Sequence, residues 1–278
     1  MDKTIGIIGL GLIGGSLAKA LKANTAHTVY GLDICADVME SALALGAIDA
    51  TLNENLLAEC DTILLALYPE AAIGFARENI HKFKRGAVII DCGGVKGNVC
   101  AALSEFVSNN DRYFIGGHPM AGIEKSGFEN SFAHLFDGAT MILCKDEFTN
   151  IIALKAAEML FSAIGFTKVT ITTAEEHDKI IAFTSQLAHI VSNAYIKSET
   201  AKNQLGFSAG SYKDLTRVAW LDENMWTELF FENKKHLVAE IESLRERLSK
   251  YVEALQENDI ATMKVLLVEG KKAKEAIG

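Results

Sequence analysis

The chain has 278 residues, of which 49% are hydrophobic and 23% charged, and its formal net charge at pH 7 is -9. This is the composition of an ordinary globular protein with room for one large or two modest domains. The acidic balance, without clustered lysines and arginines, argues against a nucleic-acid partner. No apolar run has the length of a membrane span, so no membrane partner is expected.

The first residues and the cysteines both indicate a cytoplasmic protein. Residues 1–4 lack the basic start of a signal peptide and lead directly into an apolar run. The five cysteines are odd in number and lack Cys-x-x-Cys spacing, so we expect reduced, mostly buried thiols. Neither a metal site nor a disulfide framework is indicated.

Strand-like and helix-like segments alternate over the first part of the chain. The sequence predicts strands at 4–8, 27–32, 62–67, 87–90, 113–117 and 140–144, and helices that include 13–23 and 38–45. Strands separated by helices are typical of a mainly parallel sheet that is covered on both faces. We therefore predict an α/β Rossmann-type domain with a doubly wound parallel sheet, extending to about residue 170.

Helical periodicity replaces the strand pattern from residue 174 onward. Long helical stretches are predicted at 174–201, 224–255 and 259–276. We accordingly divide the chain into an NAD-binding Rossmann domain at 1–170 and an all-α substrate-binding and dimerisation domain at 171–278.

The second helical stretch carries apolar residues at spacings of four and three, as in a heptad seam. The members of this seam are Leu237, Ile241, Leu244, Leu248, Tyr251 and Leu255. The seam can be a core face within one subunit or a helix–helix interface between two subunits. The sequence leaves both interpretations open.

A glycine-rich turn connects the first predicted strand to the first predicted helix. Its sequence is Gly9-Leu10-Gly11-Leu12-Ile13-Gly14. Gly9 allows the tight turn, Gly11 lets the backbone approach a pyrophosphate, and Gly14 allows the helix to pack closely on the strand. The amides at the start of the helix, including those of Leu12 and Ile13, then point at the phosphates.

An acidic residue in the expected place completes this dinucleotide-binding context. Asp33 ends the second predicted strand, 24 positions after Gly9. A carboxylate there accepts hydrogen bonds from ribose hydroxyls and repels a 2′-phosphate, so we predict NAD rather than NADP. We also predict that Leu67 and Gly94 are cofactor-binding residues. A glycine turn with a structural role only is the alternative interpretation.

A histidine flanked by glycines begins the first of three polar segments. His118 follows Gly116 and Gly117, just past a predicted parallel strand. Open α/β sheets bind ligands outside the carboxyl ends of their strands. Histidine can accept a proton near neutral pH, so we predict a catalytic base, with a surface loop histidine as the alternative.

The second polar segment lies on a predicted helix. Asp178, Ala182, Ser185 and His189 follow spacings of four, three and four, which places them on one helix face. Small and polar residues on one stripe suggest that this face lines a cavity. A capping or buried structural histidine is the alternative.

The third polar segment contains two basic residues on one side of a helix. Lys213 and Arg217 are four positions apart. A guanidinium is a planar fork for a carboxylate, so Arg217 suits an anionic substrate. Taken alone, the pair could equally be surface charge.

Together, these three segments resemble the prephenate dehydrogenases, the TyrA family of tyrosine biosynthesis. The resemblance runs from about Ile5 to Lys234 in order and spacing. Its motifs are Gly-Gly-His-Pro-Met-Ala-Gly at 116–122, Ser-x-Leu-x-His at 185–189 and Ser-Tyr-Lys-Asp-Leu-Thr-Arg at 211–217. The resemblance implies NAD-dependent oxidation of prephenate with loss of CO2, giving 4-hydroxyphenylpyruvate. Some members use arogenate instead and yield tyrosine directly, and members are usually dimers through the helical domain.

The resemblance also implies roles for individual residues. His118 matches the histidine that bonds the ring hydroxyl and accepts its proton. His189 and Arg217 match residues that hold the substrate, with Arg217 as the carboxylate anchor. His189 is also assigned to catalysis, together with His118. The residues that line or tune the pocket are Lys213, Ser185 and Glu124.

Three positions depart from the family pattern. Gly94 stands where many members have a serine that bonds the catalytic histidine. Gln186 replaces a common histidine, and Ala188 replaces a common proline. We expect these changes to affect substrate preference more than the reaction class. Because the chain ends soon after its helices, we also expect no tyrosine feedback through a fused ACT domain.

Two further functions are alternatives. β-Hydroxyacid dehydrogenases also join a Rossmann domain to helices, but they carry a catalytic lysine where this chain has His177-Asp178 and Ser185…His189. A non-catalytic NAD-responsive regulator is the other alternative. The presence of His118, His189 and Arg217 argues against it.

Overall fold

The computed structural model describes residues 3–278, so Met1 and Asp2 of the N-terminal segment lie outside the described residues. Eight strands form one sheet. They are β1 (Thr4–Ile8), β2 (Thr28–Leu32), β3 (Ala50–Thr51), β4 (Thr62–Leu65), β5 (Val88–Asp91), β6 (Tyr113–Met120), β7 (Thr140–Cys144) and β8 (Lys168–Thr172). Their order across the sheet is β3-β2-β1-β4-β5-β6-β7-β8. Every neighbouring pair is parallel except β6 and β7.

Both faces of the sheet are buried, as expected for parallel strands that are connected by helices. Successive side chains of a strand point to opposite faces. Ile7 and Leu64 therefore belong to one core cluster, and Ile8 and Leu65 belong to the other. The predicted doubly wound α/β fold is confirmed.

Twelve α-helices cover the sheet or form the C-terminal part of the described chain. They are α1 (Leu12–Asn24), α2 (Ala36–Ala44), α3 (Glu54–Leu57), α4 (Pro69–Asn79), α5 (Gly97–Ser108), α6 (Ile151–Ala163), α7 (Ala174–Ile181), α8 (Ala188–Tyr195), α9 (Gly210–Thr216), α10 (Glu223–Glu232), α11 (Lys234–Gln256) and α12 (Ile260–Ile277). Among residues 3–278, no helix combines the length and the apolar character that crossing a bilayer would require.

Strand β6 is longer than predicted, and this changes the setting of His118. Its parallel pairing with β5 ends at Asp91 and Gly116, but its antiparallel pairing with β7 continues to Met120. His118 therefore lies inside β6, beyond its parallel pairing with β5, so the prediction that the strand ends at Gly117 is wrong. The sequence did not show this, because the continuation depends on pairing with a strand some twenty residues further on.

A π-helical segment, Ala182–Leu187, joins α7 to α8. Such segments are rare and frequently occur at functional sites. Within it, the buried Gln186 donates a hydrogen bond to the Leu229 carbonyl at 2.9 Å and accepts one from Asn233 Nδ2 at 2.8 Å. Asn233 also divides the predicted helix at 224–255 into α10 and α11. These contacts fix the π segment against the end of α10.

The apolar seam on α11 is only partly covered within one chain. Leu237 is buried, whereas the side chains of Leu248 and Leu255 are 55% and 67% exposed. One end of the seam therefore serves the core of the chain, and the other end is left uncovered. The cysteines are mostly buried, as predicted, with Cys35 exposed and Cys60, Cys92, Cys100 and Cys144 buried.

Candidate functional site

The turn between β1 and α1 has no space for side chains at two of its glycines. Gly9 has a φ of +86°, and a Cβ there would lie 2.5 Å from the Ala66 carbonyl oxygen. A Cβ on Gly14 would lie 1.8 Å from the Gly9 carbonyl oxygen. By contrast, nothing lies within 4 Å of a Cβ placed on the exposed Gly11. The turn is thus closely packed at Gly9 and Gly14 and open at Gly11, as a backbone that receives a pyrophosphate must be.

Asp33 is fixed at the end of β2, beside this turn. Its Oδ2 accepts a hydrogen bond from the Leu10 amide at 2.7 Å, and its Oδ1 accepts one from the Cys35 amide at 2.9 Å. Each carboxylate oxygen has a further lone pair for a ribose hydroxyl. Leu67 lies against the turn, since its Cδ2 would be 2.9 Å from a Cβ on Gly9. These residues fit NAD.

We expect the protein to prefer NAD over NADP by roughly 10²-fold in kcat/KM, because a 2′-phosphate would face the Asp33 carboxylate and like charges cost several kcal/mol. The Asp33→Asn variant should narrow this ratio. Asp37→Asn, an exposed acid at the start of α2, is the matched control. Initial rates with the two cofactors measure the ratio, and a preference of the wild type for NADP would contradict the prediction.

A cavity of 490 Å³ lies between the turn and the C-terminal helices. It brings together eight of the residues predicted from the sequence: Leu12, Ile13, Gly94, His118, Glu124, Ser185, His189 and Arg217. Lys213 is exposed and does not line the cavity. Asp178 and Ala182 do not line it either, so the prediction of one shared cavity-facing stripe is wrong for these two residues.

His118 is half-buried and contacts a histidine of α7. Its Nδ1 lies 2.8 Å from His177 Nε2, and the two rings meet edge to face. The other ring nitrogen of His177 lies 2.7 Å from Asp178 Oδ1. Both His177 and Asp178 are buried. A chain of three titratable side chains therefore leads from the cavity into the protein.

The carboxylate of Asp178, the innermost of these three side chains, is anchored on the start of α5. Asp178 Oδ1 accepts a hydrogen bond from the Lys96 amide at 2.8 Å, and Oδ2 accepts one from the Gly97 amide at 2.7 Å. The Lys96 ammonium forms an ion pair with Asp91 and donates to the Gly117 carbonyl at 2.7 Å. Burial lowers the pKa of Lys96 to about 8, which still leaves it mainly charged at pH 7. Each of the two buried carboxylates thus has specific partners: the Lys96 ammonium for Asp91, and the two backbone amides for Asp178.

The surroundings hold His118 in its neutral form. Burial, followed by the neighbouring His177 and Lys96, lowers the pKa of His118 well below its usual range. Burial also lowers the pKa of His177. Burial alone would raise the pKa of Asp178, but hydrogen bonds from His177 and from the two α5 amides outweigh it and lower that pKa. At neutral pH the three hydrogen-bonded side chains are therefore two neutral histidines, His118 and His177, and one carboxylate, Asp178.

The opposite wall of the cavity carries Arg217 and His189. Arg217, just after α9, forms an ion pair with Glu124, and both side chains are partly exposed to solvent. His189 Nδ1 lies 2.9 Å from the Ser185 carbonyl oxygen, which can only accept, so Nδ1 carries the hydrogen. Burial lowers the pKa of His189, so its Nε2 is a free acceptor. The His189 ring packs on Trp226, with ring centroids 4.0 Å apart.

Several residues of this site escaped prediction from the sequence. Asp91 and Lys96 lie just after a predicted strand. An acidic residue and a lysine so close to a buried strand could have indicated a buried ion pair. The contact of His177 with His118, those of Asp178 with the start of α5, and that of Trp226 with His189 join segments far apart in the chain. No local pattern could have indicated them.

Comparison with known proteins agrees with this geometry. The family model "Prephenate dehydrogenase, nucleotide-binding domain" matches residues 17–170, and "Prephenate dehydrogenase, dimerization domain" matches residues 173–269. A cyclohexadienyl dehydrogenase of Zymomonas mobilis is 30% identical over 99% of this chain and 96% of its own length. A prephenate dehydrogenase of Bacillus subtilis is 31% identical over 91% of this chain and 71% of its own length.

A solved structure shares the whole architecture. The A. aeolicus prephenate dehydrogenase, crystallised with hydroxyphenyl propionate and NAD+, superposes with a TM-score of 0.86 at 28% identity. The match covers 100% of this chain and 99% of that one. The two family matches together span most of the chain, from residue 17 to residue 269. The chain belongs to the prephenate dehydrogenase family.

Proposed function

We propose that the protein catalyses the NAD-dependent oxidative decarboxylation of prephenate to 4-hydroxyphenylpyruvate, a step of tyrosine biosynthesis. One observation carries the proposal. The cavity that holds the His118 ring also contains the start of the dinucleotide-binding helix and the Arg217 guanidinium. A proton acceptor, a place for a hydride acceptor and a carboxylate anchor therefore face the same space.

The reaction follows from these three groups. NAD+ held at the glycine turn would supply the acceptor for the hydride of the ring carbon that bears the hydroxyl. His118 Nε2 takes the hydroxyl proton, and that oxygen becomes a carbonyl. The ring carboxylate leaves as CO2, and the electrons of the broken bond complete the aromatic ring, which makes the step irreversible. The oxygen, now a phenolate, takes the proton back from His118, so the products are 4-hydroxyphenylpyruvate, CO2 and NADH, and His118 is neutral again.

The substrate anchors are proposed on chemical grounds. Arg217 binds a substrate carboxylate, for which it must exchange its ion pair with Glu124. His189 Nε2 and Ser185 offer hydrogen bonds at the cavity wall. Lys213 remains a proposed substrate contact, although its side chain is exposed outside the cavity. An unchanged KM in the Lys213→Ala variant would remove it from this set.

Arogenate, which would give tyrosine directly, is the second candidate substrate. It carries an amino group where prephenate has a keto group. The Glu124 carboxylate lines the cavity and could accept hydrogen bonds from that ammonium. The name of the Zymomonas mobilis relative, cyclohexadienyl dehydrogenase, covers both kinds of ring substrate.

The organisation of the whole protein is proposed in the same way. Residues 1–170 form the NAD-binding domain and residues 171–278 the helical substrate-binding and dimerisation domain, although β8 continues to Thr172. The uncovered end of the α11 seam supports a homodimer through the helical domain. Buried free thiols support a cytoplasmic location.

The test is to mix the protein with NAD and prephenate and to follow the absorbance of NADH. We expect NADH formation that depends on prephenate, and a parallel assay with arogenate gives the ratio of kcat/KM for the two substrates. The Glu124→Gln variant should lower the arogenate rate more than the prephenate rate, if Glu124 meets the amino group. No NADH with either substrate would favour the non-catalytic regulator.

A further inference from the structure

We propose that His177 and Asp178 are positioning residues that lock His118 in the tautomer with a bare Nε2. The identity of the proton donor rests on the proposed function, but the locking does not.

Asp178 can be only an acceptor in this network. Both of its oxygens already accept hydrogen bonds from backbone amides at the start of α5, those of Lys96 at 2.8 Å and Gly97 at 2.7 Å. An ionised carboxylate has no hydrogen to give. The 2.7 Å contact with His177 must therefore be a donation from His177 Nδ1–H to Asp178 Oδ1.

This donation fixes the next ring. A neutral imidazole carries one hydrogen, so His177 with a hydrogen on Nδ1 has a lone pair on Nε2. The atom facing this lone pair, at 2.8 Å, is His118 Nδ1. It has to donate, so the single hydrogen of neutral His118 lies on Nδ1. Its Nε2 is left without a hydrogen.

Among residues 3–278, no group forms a hydrogen bond with His118 Nε2. Gly94 offers no side chain, and a Cβ there would lie 4.0 Å from that atom. The orientation of the ring therefore depends on the Nδ1 side alone, where His177 is 2% exposed and has little freedom to turn.

The same network can accommodate the charge that appears in the reaction. When His118 takes a proton, the negative Asp178 carboxylate lies one ring away and stabilises the new positive charge. The Lys96 ammonium acts against this, but it is paired with Asp91. The remaining charged groups that line the cavity, Glu124 and Arg217, are paired with each other.

Substitutions at His177 separate orientation from packing. We expect His177→Leu, which removes the acceptor, to lower kcat by about 10²-fold while KM changes little. His177→Gln has a side-chain carbonyl that can accept from His118 Nδ1–H, and it should recover about tenfold of that loss. Equal losses in both variants would show that His177 only packs.

Substitution at Asp178 tests the origin of the tautomer. Asp178→Asn lets His177 turn its hydrogen toward His118, which then carries its own hydrogen on Nε2 and cannot accept a proton. A comparable change behind a histidine base costs about 10⁴-fold in kcat. We expect a loss of at least about 10²-fold here, with the cofactor KM unchanged. His134→Gln, which removes an exposed histidine paired with Asp137 at 3.0 Å, is the matched control and should keep full activity.

Nitrogen-15 NMR of histidine-labelled protein reads the tautomer directly, without any substrate. We expect His118 and His177 of the wild type to be protonated on Nδ1, and His118 in Asp178→Asn to shift toward the Nε2–H form. Signals are assigned by their loss in His118→Asn and His177→Gln. Wild-type His118 with its hydrogen on Nε2 would overturn the proposal, as would unchanged kcat in His177→Leu.

The two kinds of failure can be told apart. If the protein oxidises neither prephenate nor arogenate but shows the expected tautomers, the substrate assignment fails and the locking stands. If the protein is active but His118 carries its hydrogen on Nε2, the locking fails and the substrate assignment stands. If Asp178→Asn does not fold, because its side chain also anchors α5, His177→Leu and the wild-type spectrum decide.

Discussion

His118→Asn is expected to lower kcat by roughly 10²–10⁴-fold, the usual contribution of a positioned acid or base. Asparagine has a similar volume and can still donate to His177, but it cannot take up a proton. Binding of prephenate and NAD should change much less, because the neutral ring contributes no charge to the anchor. Steady-state rates of NADH formation give kcat and both KM values.

The pH profile gives this prediction a second readout. Burial, His177 and Lys96 lower the pKa of His118 well below 6.5. The neutral, active form therefore persists to more acidic pH than for a free histidine, and wild-type kcat should fall only as the pH drops through that lowered pKa. His118→Asn should lack this acidic limb. Full activity in the variant would remove His118 from the chemistry.

Arg217→Ala is expected to raise the KM for prephenate by about 30-fold, which corresponds to about 2 kcal/mol. Losing one partner of a buried charge pair costs about 2–5 kcal/mol. Arg217 is 65% exposed in the free protein, so the lower end of that range applies. The effect on kcat should be small, since the guanidinium takes no part in the proton transfer.

Two comparison variants complete this experiment. Arg217→Lys keeps the charge but loses the planar fork, so its KM should be intermediate. Arg85→Ala removes another exposed arginine that faces a carboxylate, that of Asp111 at 3.6 Å, and it lies just before the amino end of β5. Its kinetics should equal those of the wild type. An unchanged KM in Arg217→Ala would mean that the substrate carboxylate binds elsewhere.

The sequence was sufficient for features that depend on short stretches of chain. The turn at Gly9–Gly14 and the acid at Asp33 lie within one βαβ unit, where spacing dictates geometry. The sheet followed from alternating strands and helices for the same reason. His118, His189 and Arg217 were found through their motifs, and the fold then brought all three to one cavity.

The features that escaped the sequence depend on contacts between distant segments. His118 lies in a strand because β7 pairs with the extension of β6. Asp178 faces α5 and not the cavity because two amides there need an acceptor. Helical spacing alone placed it on the stripe with Ser185 and His189, since a regular helix was assumed through residues 182–187. The π segment breaks that regularity.

That π segment also has an evolutionary consequence. A regular α-helix turns by about 100° per residue, so one residue more or less between α7 and α8 re-aims everything that follows. His177 and Asp178 precede the segment, whereas Gln186 lies within it and His189 follows it. A single insertion or deletion here would reorient the substrate wall and leave the proton acceptor untouched. Chain length at 182–187 is thus a means by which related enzymes can diverge in the molecule they accept while keeping one chemistry.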